Sequence, residues 1–366
     1  MESEKSKVET GDETKKRFEN QYSDYENLVT LVSSLQNWFE LEWGKASSRQ
    51  TLEKFDRFPH WGADGELTPD FIASFRTPYV LCGECMKTFR SHGKGGKEDA
   101  EQILSYARSS PAPIDGASPG YDVVVFVHTH SDTAAQAALK NKTKEPGLAP
   151  IVVIGFFREK ERVQGDWYSL KWRDLEGVNS RFTEPNVVDQ SNEGLNEILV
   201  AATSCSIQVD RQSLLIGEHM PFVNDPPPPF YTVDRVIYPA ITQLLDQTER
   251  DTLMARGAVE KNFTQSDLQN VPLLQGKEYR EKYISDALRW MADNEFAKRD
   301  SRSKLTLYTV KLDLRNRIWR EWILKKASKK EERFRARSAR LKKNQRSRRF
   351  KGEIPGLFSP PQDSGK

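Results

Sequence analysis

Two unbroken apolar runs, Tyr121-Asp-Val-Val-Val-Phe-Val127 and Ile151-Val-Val-Ile-Gly-Phe-Phe157, do most to limit what this chain can fold into. Each is rich in β-branched and aromatic residues and reads as a strand buried on both faces, which demands a layer on either side of its sheet. Between them Thr133 to Lys142 reads as a short helix. Ahead of them Lys97 to Arg108 sets Ala100, Ile103, Leu104 and Ala107 on one helical stripe. Strands alternating with helices predict an α/β fold, a central mixed sheet flanked by helices. Trp167-Tyr-Ser-Leu-Lys-Trp172 is expected to add another strand.

A hairpin comes first. Leu67 to Phe75 and Tyr79 to Phe89 are apolar runs around the turn Arg76-Thr77-Pro78. A turn centred on Thr77 sets Asp70 opposite Glu84, and directly opposed side chains sit roughly 5 Å apart. Two carboxylates that close repel unless a cation lies between them, and hard oxygen ligands suit Mg²⁺ or Mn²⁺. A metal there would activate water and neutralise charge on a phosphodiester, with Lys87 near enough to assist.

Pro69-Asp70, Glu84 and Lys87, followed by Gln102-Ile-Leu-Ser-Tyr106, resemble the PD-(D/E)xK nuclease superfamily over roughly residues 50 to 160. The Gln102 to Tyr106 segment is similar to the Q-x-x-x-Y element of RecB-like members. The resemblance implies a restriction-endonuclease-like fold, Asp70 and Glu84 as Mg²⁺ or Mn²⁺ ligands, Lys87 assisting, and Gln102 and Tyr106 organising the site. It also implies one more acid from a preceding helix, for which Glu53 and Glu40 are the candidates. The spacing departs from the family: Cys85 and Met86 separate Glu84 from Lys87, where the family has one residue. In a regular strand Glu84 and Lys87 would then point to opposite faces. A β-bulge at Gly83 to Met86 restores a common face. A register shifted by one instead puts Cys85 at the acid position. The site is either bulged and active, or a nuclease fold that has lost its chemistry.

Charge is uneven along the chain. Lys325 to Lys351 holds 14 Lys or Arg against Glu331 and Glu332, a net of +12, which leaves −9 for the rest of a chain whose total is +3. Leu307, Val310, Leu314, Ile318 and Trp322 recur at helical spacing and predict a packed helix continuing into that segment. Its cations Lys325, Lys326, Lys329, Lys330, Arg333, Arg335, Arg337, Arg340, Lys342, Lys343, Arg346, Arg348 and Arg349 are the expected nucleic-acid contacts. DNA is the expected partner, with RNA as the alternative. The same stretch has the make-up of a nuclear-import signal, which in a nucleated cell would add an import receptor.

The remaining segments fill in the layout. Residues 1–16 are charged, polar and expected to be disordered, and Tyr22 to Trp43 reads as an amphipathic helix with Leu28, Leu31, Leu35, Trp38 and Phe39 inward. A nuclease-like domain is expected over 17–185, and a connecting region with a polyproline segment over 186–232. A mainly helical region over 233–324, the basic helix over 325–351 and a disordered tail over 352–366 follow. No apolar run reaches membrane-spanning length, and three cysteines fit a reducing compartment. An intracellular protein is expected, nuclear if the organism has a nucleus and cytoplasmic otherwise. Two other metal readings are weaker. Cys82, Cys85 and His92 lack a second pair for zinc, and His128-Thr-His130-Ser-Asp132 lacks downstream ligands other than His219.

Overall fold

In the computed structural model the described residues are 11–42, 52–62, 67–76, 79–90, 93–111, 120–140, 142, 146–161, 165–173, 205–210, 212–215, 219–275, 279–301, 306–313 and 319–352. Helix α1 (Gly11–Asn37) runs into a π-helical turn, Trp38–Glu42. Strands β1 (Leu52–Arg57), β2 (Phe71–Phe75) and β3 (Tyr79–Met86) form an antiparallel meander. Helix α2 (Gly93–Arg108) crosses over to β4 (Gly120–His128), and α3 (Asp132–Lys140) crosses over to β5 (Ile151–Glu161). Both crossovers join parallel neighbours. Strands β6 (Gly165–Arg173) and β7 (Cys205–Gln208) then pair antiparallel, and the seven strands lie in chain order. The α/β reading with a mixed, helix-flanked sheet therefore holds.

Side-chain alternation splits the sheet's two faces. Phe71, Tyr79, Leu81, Cys85, Phe126 and Ile154 pack toward α1 and the C-terminal helices. Val80, Cys82, Val123, Val125 and Val153 pack toward α2 and α3, where Ala100, Ile103, Leu104 and Ala107 form the expected stripe. Cys82 and Cys85 are buried free thiols on opposite faces of β3, so they cannot hold one zinc ion. His92 lies outside the described residues.

The C-terminal half begins with α4 (Gln212–Leu215). After Pro226 to Pro228 come α5 (Pro229–Thr232), a π-helical stretch Val233–Ile237, α6 (Tyr238–Gln243) and α7 (Gln247–Arg256). Next are β8 (Ala258–Thr264), α8 (Gln265–Gln269), α9 (Glu281–Asp293), β9 (Ala297–Asp300), β10 (Leu307–Asp313) and the long α10 (Trp319–Gly352). This region is helical, with a three-stranded antiparallel sheet of order β8-β10-β9 set among the helices.

Three sequence expectations need correction. Leu307 to Asp313 is a strand rather than the start of a helix. Leu307 and Val310 fit a helical period, but Tyr308, Val310 and Leu312 are the buried set while Leu307 is exposed, which is alternation. Residues 11–16 are helical rather than disordered: Thr14 is buried, and next to it Arg17 ion-pairs with Glu331 of α10, so tertiary contact supports the helix start. Gly83 does not mark a bulge. The β3–β4 ladder runs unbroken from Gly83↔Val124 to Met86↔Val127, and Phe71 pairs with Gly83 in regular register.

What Gly83 provides is room. A Cβ there would lie 2.1 Å from Cζ of Phe71, whose buried ring stacks on Phe55 at 4.9 Å. Gly83→Ala is expected to destabilise the fold by about 1–3 kcal/mol through overpacking. An unshifted urea midpoint would contradict this account of the glycine.

Candidate active site

The hairpin's register, with Phe71 opposite Gly83, continues one residue further to set Asp70 opposite Glu84. Both acids lie at the sheet edge where β3, β4 and β5 end, the edge at which open α/β sheets bind ligands. Asp70 is almost wholly buried. Its Oδ2 accepts the Cys85 N–H at 2.8 Å, and its Oδ1 accepts the Asn224 N–H at 3.1 Å. Glu84 projects to the α2 face, where Gln102 Nε2 donates to Glu84 Oε1 at 2.8 Å. Gln102 and Tyr106, one helical turn apart, are 3.1 Å from each other, and the Tyr106 hydroxyl reaches the Thr68 carbonyl at 3.4 Å. The structure thus brings Asp70, Glu84, Gln102 and Tyr106 together.

Glu84 Oε2 is buried and has no hydrogen-bond partner. Among the described residues neither acid has a lysine or arginine within ion-pair distance, so the pair is short of positive charge. Burial, and next the charge of Asp225, push the Asp70 carboxyl up, against the pull of the Cys85 and Asn224 N–H groups and of Arg57. Burial, then Asp70 and Asp225, push Glu84 well up. Arg57 is a buried guanidinium, but its hydrogen bonds go to Gln36 and to the carbonyls of Met220 and Phe222. It relieves the acids only at a distance.

Lys87 is not in this group. Two positions past Cys85 on the same alternation, it points to the α1 face and ion-pairs with Asp24. The unbulged strand leaves Glu84 and Lys87 on opposite faces. Glu53 lies on β1, exposed, beyond the Lys54↔Ser74 pair, whereas Asp70 adjoins the Arg57↔Phe71 pair at the other end. The strand length between these ends, roughly 3.3 Å per residue, keeps Glu53 from sharing an ion with Asp70. Glu40 instead faces His219 at 3.9 Å and Gln36 at 2.9 Å.

Several residues at this site were not singled out in the sequence. Asp225 stands at the rim, its carboxyl pushed up by burial and by Asp99. Asn224 ties the segment down through its N–H to Asp70. Arg280, exposed just before α9, donates to Thr68 Oγ1 at 3.0 Å and to Asn224 Oδ1 at 2.6 Å. Tyr283 donates to the Asn224 carbonyl at 2.6 Å. The only local sign of this was the Pro226 to Pro229 run, which marks a stiff turn but says nothing about where the preceding acid lands.

The histidines do not form the rival metal set. His128 and His130 approach through their Nδ1 atoms at 2.6 Å, and His130 Nε2 lies 3.4 Å from Thr88 Oγ1. His219 is elsewhere, with its Nδ1 2.5 Å from Ser33 Oγ and 3.1 Å from Asp210. No group of three or more His, Cys, Asp or Glu close enough to hold an ion occurs among the described residues.

Of the expected nucleic-acid contacts, all thirteen lie on α10. Ile323, Leu324 and Ala327 are buried, and α10 lies along α1 through Glu331–Arg17. Lys326 sits 4.7 Å over the Phe296 ring and donates to the Glu295 carbonyl, and Arg335 pairs with Glu331. Lys325, Lys329, Lys330, Arg333, Arg337 and Arg340 are exposed. The side chains of Lys342, Lys343, Arg346, Arg348 and Arg349 lie outside the described residues. No described helix is long and apolar enough to cross a membrane. No family model, curated protein or solved structure matches the chain.

Proposed function

We propose that the chain is a metal-dependent nuclease acting on DNA, with Asp70 and Glu84 holding Mg²⁺ or Mn²⁺. One observation carries this reading: two buried acids sit opposite each other at a strand-end edge, both driven toward protonation, with the Glu84 Oε2 atom unsatisfied. Such an arrangement is unfavourable without a cation and favourable with one. The donor set fits. Mg²⁺ commonly takes one or two carboxylates and fills its other positions with water and substrate phosphate oxygens, so a three-acid cage is not required. When bound, the ion supplies charge neutralisation at the phosphodiester and a more acidic water.

The chain's own residues would do the positioning. Gln102 fixes the Glu84 carboxylate, with Tyr106 behind it, and the Cys85 and Asn224 N–H groups fix Asp70. Asp225 at the rim would accept a proton or a water. Arg280, tied to Thr68 and Asn224 on either side of Asp70, is the cation suited to a phosphate oxygen, the role expected of Lys87. The hairpin, helix, strand, helix, strand order supports a restriction-endonuclease-like core. The exposed cations of α10 support nucleic acid as substrate.

One observation favours a second reading, a DNA-binding protein of nuclease fold without catalysis: the Lys87 amine is taken by Asp24 on the far face. Labelled single-stranded, duplex and branched DNA incubated with Mg²⁺ or Mn²⁺ separates the two. Cleavage is expected, with Arg280→Ala slowing it about tenfold or more and Lys87→Ala changing it less than about threefold. No cleavage of any of the three DNAs, with salt-sensitive binding intact, selects the second reading.

A further inference from the structure

Helices α7, α8 and α9 and the sheet β8-β10-β9 form a unit with a definite plan. A strand lies between the first and second helices, the second and third follow in succession, and a β-hairpin leads off the third. This is the arrangement of helix-turn-helix units that carry a wing, in which the last helix is presented to the major groove. Helix α9 buries Tyr283, Ile284, Ala287, Leu288 and Met291 and turns Lys282, Ser285 and Arg289 outward.

A topology alone does not specify a partner. A second, independent feature does. Between the start of α8, the outer side of α9 and the β9–β10 hairpin lies an open groove of about 280 Å³. Arg289 and Arg299 line it together with Thr264, Gln265, Ser266 and Ser285, and none of its lining residues is acidic. The nearest acids are occupied or peripheral: Asp267 caps Thr264, and Asp286 lies 4.0 Å from Arg289 on the same helix. Arg289 is 65% exposed, so its guanidinium is available to a ligand. Two guanidiniums converging with hydroxyl and amide groups suit a phosphodiester oxygen, and the groove lies beside the helix that would face the bases.

We propose that this unit is a second docking surface for duplex DNA, with a backbone phosphate in the Arg289–Arg299 groove and the outer face of α9 against the major groove. The surface is independent of the carboxylate site and would bind whether or not that site cleaves. Its cations are separate from those of α10. A B-form duplex is the partner because its major groove admits a helix, which the A-form major groove of duplex RNA does not.

The test is anisotropy of a short labelled DNA duplex with the full chain, without divalent metal, between about 50 and 200 mM salt. Arg289→Ala combined with Arg299→Ala is expected to weaken binding about tenfold and to reduce the salt slope by roughly two, at about 0.9 per lost phosphate contact. Arg289→Lys with Arg299→Lys should restore most of the slope, since charge is kept while the planar fork is lost. Both arginines reach solvent, and an unchanged melting temperature will show that the fold is intact. Wild-type affinity and slope in the alanine variant, a loss confined to single-stranded DNA, or no duplex binding by the wild type would each overturn the proposal. A chain that never cleaves DNA but shows the slope loss upholds this surface and discards the nuclease reading.

Discussion

Asp70→Ala is expected to reduce Mg²⁺-dependent cleavage by at least about 10²–10³-fold, the scale on which a single electrostatic group at a reacting centre acts. DNA affinity without metal should stay within about twofold, because the exposed cations of α10 and the Arg289–Arg299 groove are untouched. The same substitution also strips acceptors from the Cys85 and Asn224 N–H groups. Leaving a buried donor unpaired costs about 1–3 kcal/mol. That loss is opposed by the removal of a desolvated acid. Thermal melting therefore has to accompany the assay, and Asp70→Asn serves as a partner variant that fills the volume and keeps one acceptor. Loss of cleavage in both variants, with DNA binding retained, assigns the chemistry to the carboxylate. Wild-type cleavage in either variant would remove Asp70 from the site and the nuclease proposal with it.

The parts of the site that were legible in the sequence are those fixed by local geometry. A turn centred on Thr77 dictates a register, and that register alone sets Asp70 against Glu84. One helical turn from Gln102 to Tyr106 places both against the same acid. The buried strands announced themselves because runs such as Val123 to Val127 suit a sheet interior and little else. What the sequence did not reveal is made by chain path. Asn224, Asp225 and Arg280 reach Asp70 only after the chain has built the whole first sheet and turned through Pro226 to Pro229, and no period or motif encodes that return. Strand β10 was obscured for a different reason, since Leu307 and Val310 satisfy two periods and only burial of Tyr308 and Leu312 decides between them. Gly83 shows the opposite error. A glycine beside an irregular motif invites a bulge, yet its lack of a side chain is used by the Phe71 ring across the hairpin.

The stability of the metal-free protein should fall as pH rises, and Mg²⁺ should reverse the fall. Burial raises the carboxyls of Asp70, to about 7, and of Glu84 above their unfolded values. The native state therefore binds these protons more tightly than the unfolded chain does. Their contribution is fully present below the unfolded carboxyl pKa of about 4 and is lost as pH rises through the raised values, toward pH 8. At about 1.4 kcal/mol per pKa unit, the pair costs the metal-free fold on the order of 3 kcal/mol at the alkaline end of that window. A divalent cation that binds only the folded, ionised pair should restore stability as its concentration exceeds its dissociation constant. Glu84→Gln separates this cause from any other. The amide oxygen can keep the bond from Gln102, and the amide nitrogen replaces the oxygen that has no donor. The variant should melt several degrees above wild type at pH 8 without metal, at roughly 2–4 °C per kcal/mol. It should also show a flatter pH profile and no Mg²⁺-induced shift. A wild-type melting temperature that rises from pH 5 to pH 8, or a Mg²⁺ shift that survives in Glu84→Gln, would mean that the buried acids are not the cation site.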